Sequence, residues 1–182
     1  YGADCIICCM HWGMEYQLYP SSGQRQLAHW LHQEGVTAVI GSHPHVPQSI
    51  DVVTDSEGKT SFMTAYSLGN FISNQPEPFA RMGMILCFDL VLNKTGPRIE
   101  SAWYEWIWTW RPARDGKKTY LVLPVSDERL YREIVKDPSE LELIGKTLKT
   151  LRNFMRETSP GIVERKRYPA YERKNLYFGI HP

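Results

Sequence analysis

Two histidines one residue apart, His43 and His45, sit in the segment Gly41-Ser42-His43-Pro44-His45. Side chains two positions apart on an extended backbone point the same way. Pro44 fixes its own φ and disfavours helical geometry at His43, so an extended path with both imidazoles on one side is expected. Neutral imidazoles placed like this are good ligands for zinc, manganese, iron or nickel. A third candidate ligand, His11, closes the apolar run Cys5-Ile6-Ile7-Cys8-Cys9-Met10 and precedes Trp12-Gly13. The paired histidines also follow an apolar run, Thr37-Ala38-Val39-Ile40. Two strands that each end in histidine place the rings at one edge of one sheet. Open α/β sheets bind ligands at the carboxyl ends of their strands.

The elements that must position these residues are a strand at 3–10, a helix at about 23–34 capped by Ser21 or Ser22, and a strand at 36–40. Leu27, Ala28, Trp30 and Leu31 are the expected apolar side of the helix, and Gly35 its stop. Such a crossover implies parallel strands. The pattern then turns antiparallel. Strands at 49–53 and 61–67 flank the hairpin signal Asp55-Ser56-Glu57-Gly58. Strands at 84–92 and 98–110 flank Asn93-Lys94-Thr95-Gly96, and Asp115-Gly116-Lys117-Lys118 turns into a strand at 119–125. After Pro124 the composition becomes helical. One helix is capped by Ser126 or Asp127 and runs to about 136. A second starts at Asp137 or Ser139, with Leu141, Ile144, Leu148, Leu151 and Met155 at helical spacing, and ends at Pro160-Gly161. The expected organisation is a mixed α/β core at 1–125, C-terminal helices at 126–160 and a basic, tyrosine-rich tail at 161–182.

With 182 residues, 42% of them hydrophobic and 23% charged, the chain suits a globular domain with a sizeable core. A formal charge of +1 gives no global field toward nucleic acid or a membrane surface, and no apolar run approaches a membrane span. No secretory signal is visible. The 4 cysteines do not form a disulfide framework: Cys5, Cys8 and Cys9 share one expected strand and Cys87 lies in another. Buried free thiols are expected, which points weakly to a reducing compartment.

Met10-His11-Trp12-Gly13-Met14-Glu15-Tyr16, Gly41-Ser42-His43-Pro44-His45-Val46 and Tyr66-Ser67-Leu68-Gly69-Asn70-Phe71 together resemble the bacterial capsule-synthesis CapA family. That family is linked to poly-γ-glutamate synthesis and related to calcineurin-like metallophosphoesterases. The resemblance covers about residues 1–92. It implies mixed β-sheets flanked by helices, as part of an αββα sandwich. It also implies a divalent-metal site for Mn, Zn or Fe, with two ions in the intact domain. His11 matches the lone histidine of the related enzymes, and His43 and His45 match the paired ones. Glu15 and Asn70 belong to the family's H-W-G-x-E-Y and S-L-G-N-F elements and are the candidate catalytic residues.

In the family, a preceding half of the domain supplies aspartates and an asparagine-containing motif. This sequence begins after that half and is expected to supply about half of a two-metal site. The implied partners are that N-terminal half and an anionic polymer or its phosphorylated precursor, with no nucleic acid expected. The resemblance points to the cell envelope and the cysteines to a reducing compartment, so the compartment stays open. Two functions follow: a metal-dependent hydrolase of polymer synthesis, or a non-catalytic binding or assembly subunit that keeps the fold.

The remaining chemistry-bearing residues have plainer readings. Glu15 is a general acid, a carboxylate that orients an imidazole, or a loop cap; Asn70 orients phosphate or water, or shapes the Gly69-Asn70 turn. His29 and His32, three apart on a helix, are expected on the solvated surface, and His181 is uninformative. Tyr104, Trp106, Trp108 and Trp110 share one strand face, which is expected to be core. The run Glu164-Arg165-Lys166-Arg167 is expected to be solvated tail charge.

Overall fold

The computed structural model describes residues 2–94 and 96–166. Strand β1 (Ile7–His11) leads into helix α1 (Ser22–Gln33) and returns as β2 (Ala38–Ser42). β1 and β2 pair in parallel, Ile7 opposite Ala38 through His11 opposite Ser42. Ser21 caps α1 through a reciprocal box: its hydroxyl accepts from the Gln24 amide N–H, and the Gln24 side chain accepts from the Ser21 N–H. Strands β3 (Ile50–Thr54) and β4 (Thr60–Ala65) form a hairpin, and β4 lies parallel to β2. The hairpin turns where Gly58 adopts φ +74 and its N–H meets the Asp55 carbonyl at 3.0 Å.

A single 3-10 turn (Pro78–Arg81) leads into β5 (Met82–Asn93), which pairs antiparallel along its length with β6 (Gly96–Trp110). A two-stranded ribbon, β7 (Ala113–Arg114) with β8 (Lys117–Lys118), precedes β9 (Leu121–Pro124), which returns along β6. Helices α2 (Glu128–Ile134) and α3 (Pro138–Thr158) are capped by Asp127 and Asp137, and β10 (Val163–Glu164) closes beside β6. Eight strands make one mixed sheet, its two halves joined where Thr60 faces Ile99. The protein is mixed α/β, as the sequence predicts. No helix among the described residues is long and apolar enough to cross a membrane.

The main core gathers Met63, Met82, Trp106, Trp108, Ile144, Leu151 and Met155 between the sheet and α3. The aromatic strand therefore serves packing: Tyr104, Trp106 and Trp108 are buried and Trp110 leans on the same cluster. Arg81 pins α3 to this core. Its guanidinium donates to the Thr109 carbonyl at 3.1 and 3.0 Å, lies 4.3 Å from the Trp108 ring centroid and pairs with Glu140. Trp108 Nε1 donates to the same Glu140 at 2.7 Å.

Several expectations change. Strand β1 starts at Ile7 rather than residue 3, because its partner β2 begins only at Ala38. All four cysteines are free, but none is buried. Cys9 is exposed because Cys8 and Met10 take the face of β1 that packs with Leu31 and Phe62, and alternation turns Cys9 to the opposite face. On α1 the buried residues are Gln24 and Ala28, whereas Leu27 and Trp30 are 37% and 52% exposed. The inward face is set by Gln24, whose amide donates to Gln48 at 2.9 Å. His29 is exposed as expected, but His32 is half-buried and stacks on Phe62 with centroids 4.5 Å apart. Arg167, His181 and the rest of the expected tail beyond 166 lie outside the described residues.

Candidate metal centre

Strands β1, β2 and β4 run the same way, so their carboxyl ends lie side by side. His11 ends β1, the His43-Pro44-His45 loop follows β2, and Asn70 follows β4 by a short turn. These are the three sequence motifs, brought together by parallel pairing. Their glycines are what let them touch. A Cβ on Gly41 would stand 2.0 Å from the Tyr66 carbonyl oxygen and 2.5 Å from Trp12 Nε1. That indole donates to that carbonyl at 2.8 Å, so Gly41 leaves room for a bond between the first and third motifs. Gly69, at φ +71, faces the Met82 carbonyl where a side chain would clash at 2.8 Å.

The loop after β2 is not extended. His43 has φ +99 and His45 φ +62, both in the region that side chains rarely adopt. The strand ends at Ser42, and the chain must turn at once to continue into Val46 and Pro47, which are buried. Strain of this kind persists where surrounding contacts impose it. Here the Pro44 carbonyl accepts from the Tyr16 N–H at 2.8 Å, and the Trp12 N–H reaches the Ser42 carbonyl at 3.2 Å. The rings still converge: His43 and His45 have centroids 6.1 Å apart, and His11 lies 4.4 Å from His43.

One ligand atom each from Glu15, His43 and His45 lie within 4.8 Å of one another. Tyr16's bond to the loop holds Glu15 there. His11 packs against His43 but is outside this triad, with its side chain exposed at the end of the strand. Asn70 does not face the triad openly. Its Nδ2 donates to the Ala80 carbonyl at 2.9 Å and to Gln75 Oε1 at 3.1 Å. Its Oδ1 is therefore the atom 3.0 Å from His45 Nδ1, which assigns the proton to Nδ1. In the neutral imidazole the Nε2 lone pair of His45 then points toward Glu15 Oε1, 3.9 Å away. Two electron-pair donors facing each other across that gap suit a cation between them.

The donor set fits a divalent metal: two imidazoles and one carboxylate is a familiar open-site combination for zinc and a good one for manganese or iron. Among the described residues this is the one such cluster, sufficient for one ion. Two contributors were not singled out from the sequence. Tyr16 stacks over His45 at 5.9 Å, and Gln75 Nε2 donates to the Tyr16 hydroxyl at 2.9 Å. Tyr16 lies inside the first motif and could have been flagged. Gln75 carries no local signal, since its role arises from the loop that brings it back over Asn70.

Residues 1–75 match the family described as bacterial capsule synthesis protein PGA_cap. Over that stretch the chain is similar to this capsule-synthesis family. It is 37% identical over 94 residues to the PGA biosynthesis protein CapA of Bacillus subtilis (strain 168), covering 52% of this chain and 23% of that one. It is 30% identical over 146 residues to the capsule biosynthesis protein CapA of Bacillus anthracis, covering 79% of this chain and 32% of that one. The chain thus spans about a quarter to a third of the length of the curated CapA relatives it matches. The PGA_cap match contains His11, Glu15, His43, His45, Asn70 and Gln75.

Proposed function

We propose that this chain acts in the synthesis of a capsule or similar anionic surface polymer, as part of a divalent-metal-dependent, phosphoesterase-like hydrolase. The observation that carries the reading is the Glu15, His43 and His45 triad, with His45 held in the ligand-competent tautomer by Asn70. A divalent ion held there supplies Lewis acidity toward a phosphoryl or carbonyl oxygen. The protein's share is positional. Glu15 contributes the one negative charge of the triad, the Asn70 carbonyl fixes the His45 ring, and the Tyr16 ring covers one side of it. His11, beside His43, is placed to complete the shell or to meet an anionic substrate.

The alternative is a non-catalytic binding or assembly subunit. It is favoured by there being one three-donor cluster among the described residues and by the engagement of both Asn70 donors within the protein. Titration of the 182-residue chain with manganese and zinc, alongside hydrolysis of a generic phosphodiester, separates the two. The hydrolase reading expects metal binding that is lost in His43→Ala/His45→Ala, with turnover that depends on the added metal. Metal binding without turnover supports the subunit, and binding undiminished in the double variant removes the proposed centre.

A further inference from the structure

Between Asn70 and Pro76 the chain forms no regular element, yet it carries Gln75, whose amide meets both Asn70 and Tyr16. Side chains from the end of β6 and from the ribbon that follows hold this segment in place. The Ser73 N–H donates to Thr109 Oγ1 at 3.1 Å, and the Ser73 hydroxyl accepts from the Gln75 N–H at 3.0 Å. Arg111, the first residue after β6, forks onto two successive carbonyls. Its guanidinium donates to that of Asn74 at 3.3 Å and to that of Gln75. The Asn74 Oδ1 in turn accepts from the Tyr120 hydroxyl at 2.6 Å and from Lys118 Nζ at 3.1 Å. The base of the ribbon is closed by the Pro112 carbonyl, which accepts from the N–H and the hydroxyl of Thr119 at 2.9 and 2.8 Å.

A path of hydrogen bonds therefore runs from Arg111 through Gln75 to Asn70, and from Asn70 Oδ1 to His45 Nδ1. Arg111 is a costly choice for packing alone. Its Nε is buried with no hydrogen-bond partner among the described residues. Burial, and then the neighbouring Arg81 cation, push its pKa below the usual arginine range. Groups kept against such local cost concentrate at functional sites. A planar fork holds two carbonyls at once, which fixes the Gln75 backbone in rotation as well as in position; an ammonium group has no such plane. We propose that Arg111 is a positioning residue of the metal centre, which orients the His45 ring by holding Gln75 against Asn70 and Tyr16. The proposal rests on the reading of Glu15, His43 and His45 as metal ligands. Arg111 acts on them through Gln75, one bond further out than Asn70.

The test combines ring-nitrogen NMR of the metal-free 182-residue chain, at about pH 8.5 and so above the ordinary histidine range, with zinc and manganese titration. In the wild type the His45 signals, identified by their loss in His45→Ala, should show the proton on Nδ1. In Arg111→Met part of the population should carry it on Nε2 while the His32 signals stay unmoved, and metal affinity should fall about threefold to tenfold. Arg111→Lys, which keeps the charge and reaches one carbonyl, should fall between. Gln75→Ala/Arg111→Met should bind metal no more weakly than Gln75→Ala alone, because the two residues act in series. Arg152→Met controls for lost stability. It removes the fork from α3 onto Glu164 of β10, so it should lower Tm and leave the ring signals and the affinity unchanged. Wild-type ring signals in Arg111→Met overturn the proposal, as does a wild type with the proton on Nε2 or a double variant much weaker than Gln75→Ala. A wild type that takes up neither metal overturns the metal-centre reading, and the ring signals then decide on Arg111 by themselves. A wild type that binds metal and loses no affinity in Arg111→Met keeps the centre and removes Arg111 from it.

Discussion

Gly41→Ala tests how the three motifs are locked together. The added methyl would stand 2.0 Å from a backbone oxygen, that of Tyr66, and 2.5 Å from the indole nitrogen bonded to it. The Tyr66 carbonyl lies in the bend just after β4, where the Tyr66 N–H is bonded to the Ser49 carbonyl at 3.1 Å, so it cannot swing aside as a flexible side chain would. Either β2 moves away from the Tyr66 turn or the Trp12 indole leaves its acceptor. Losing that hydrogen bond costs about 1 kcal/mol. Forcing the extra carbon into a packed site costs about 1–3 kcal/mol more. A total near 3 kcal/mol corresponds to a fall in Tm of about 6–12 °C for a chain of this size. Gly145→Ala is the matched control. It lies inside α3 with open space beyond it, so the same methyl should stabilise by about 0.5–1 kcal/mol through helix propensity alone. Calorimetry and urea unfolding of both variants measure the contrast. A Gly41→Ala protein melting within about 2 °C of wild type would refute the interlock.

Three further outcomes are expected. Gln75→Ala releases the Asn70 amide and the Tyr16 hydroxyl together, so zinc or manganese affinity should drop roughly tenfold or more with the fold retained; unchanged titration curves would exclude Gln75 from the site. Arg81→Met leaves Glu140, whose side chain is 15% exposed, without its cation, and should cost about 3–5 kcal/mol in urea unfolding, with Arg81→Met/Glu140→Gln recovering part of the loss. Burial pushes the Tyr66, Tyr104 and Tyr131 hydroxyls above their ordinary range, so the folded protein keeps protons that the unfolded chain releases above about pH 10. Unfolding then releases protons, and stability should be level below that pH and fall above it by up to about 1.4 kcal/mol per pH unit per tyrosine, less steeply in Tyr66→Phe; a urea midpoint that does not move on passing that pH contradicts this.

Strong periodic signals were legible in the sequence. The heptad-like apolar spacing in α3 and its Asp137 cap, the Asp55-to-Gly58 hairpin and the apolar runs of β2 and β5 all appear close to where pattern places them. The misses have a shared cause. Trp30 is apolar and on a helix, yet faces solvent because the inward face is fixed by a polar residue, Gln24, bonded to Gln48. Cys9 lies in an apolar run, yet is exposed because only the Cys8 and Met10 face of β1 is packed. Burial depends on which neighbours a strand or helix acquires, and composition does not report that. The short ribbon β7–β8 and the two-residue β10 were invisible for the related reason that their pairing is decided by β6 and the adjoining turns.

At the candidate metal centre the cluster keeps His43 and His45 of the expected ligands, takes Glu15, which was expected as a catalytic residue, in place of His11, and depends on ring states that the sequence does not report. Residue type and spacing pointed to His11, His43 and His45, but pictured His43 and His45 on an extended chain. The structure bends the loop through positive φ at both residues and still brings their rings together. Which nitrogen of His45 faces the gap is settled one residue further out, because Asn70 has a carbonyl and an amide end and either could meet the ring. Ala80 and Gln75 take the amide end, which leaves the carbonyl for His45 and frees Nε2 on the side of Glu15. Exchanging those two ends would put a donor against Nδ1, move the ring proton to Nε2 and block the lone pair that a cation needs. Asn70→Asp keeps an acceptor there but gives up the donor to Ala80, so it should retain metal binding better than Asn70→Ala or Asn70→Leu. Equal losses in all three variants would show that the ring is oriented by its stacking on Tyr16 rather than by Asn70.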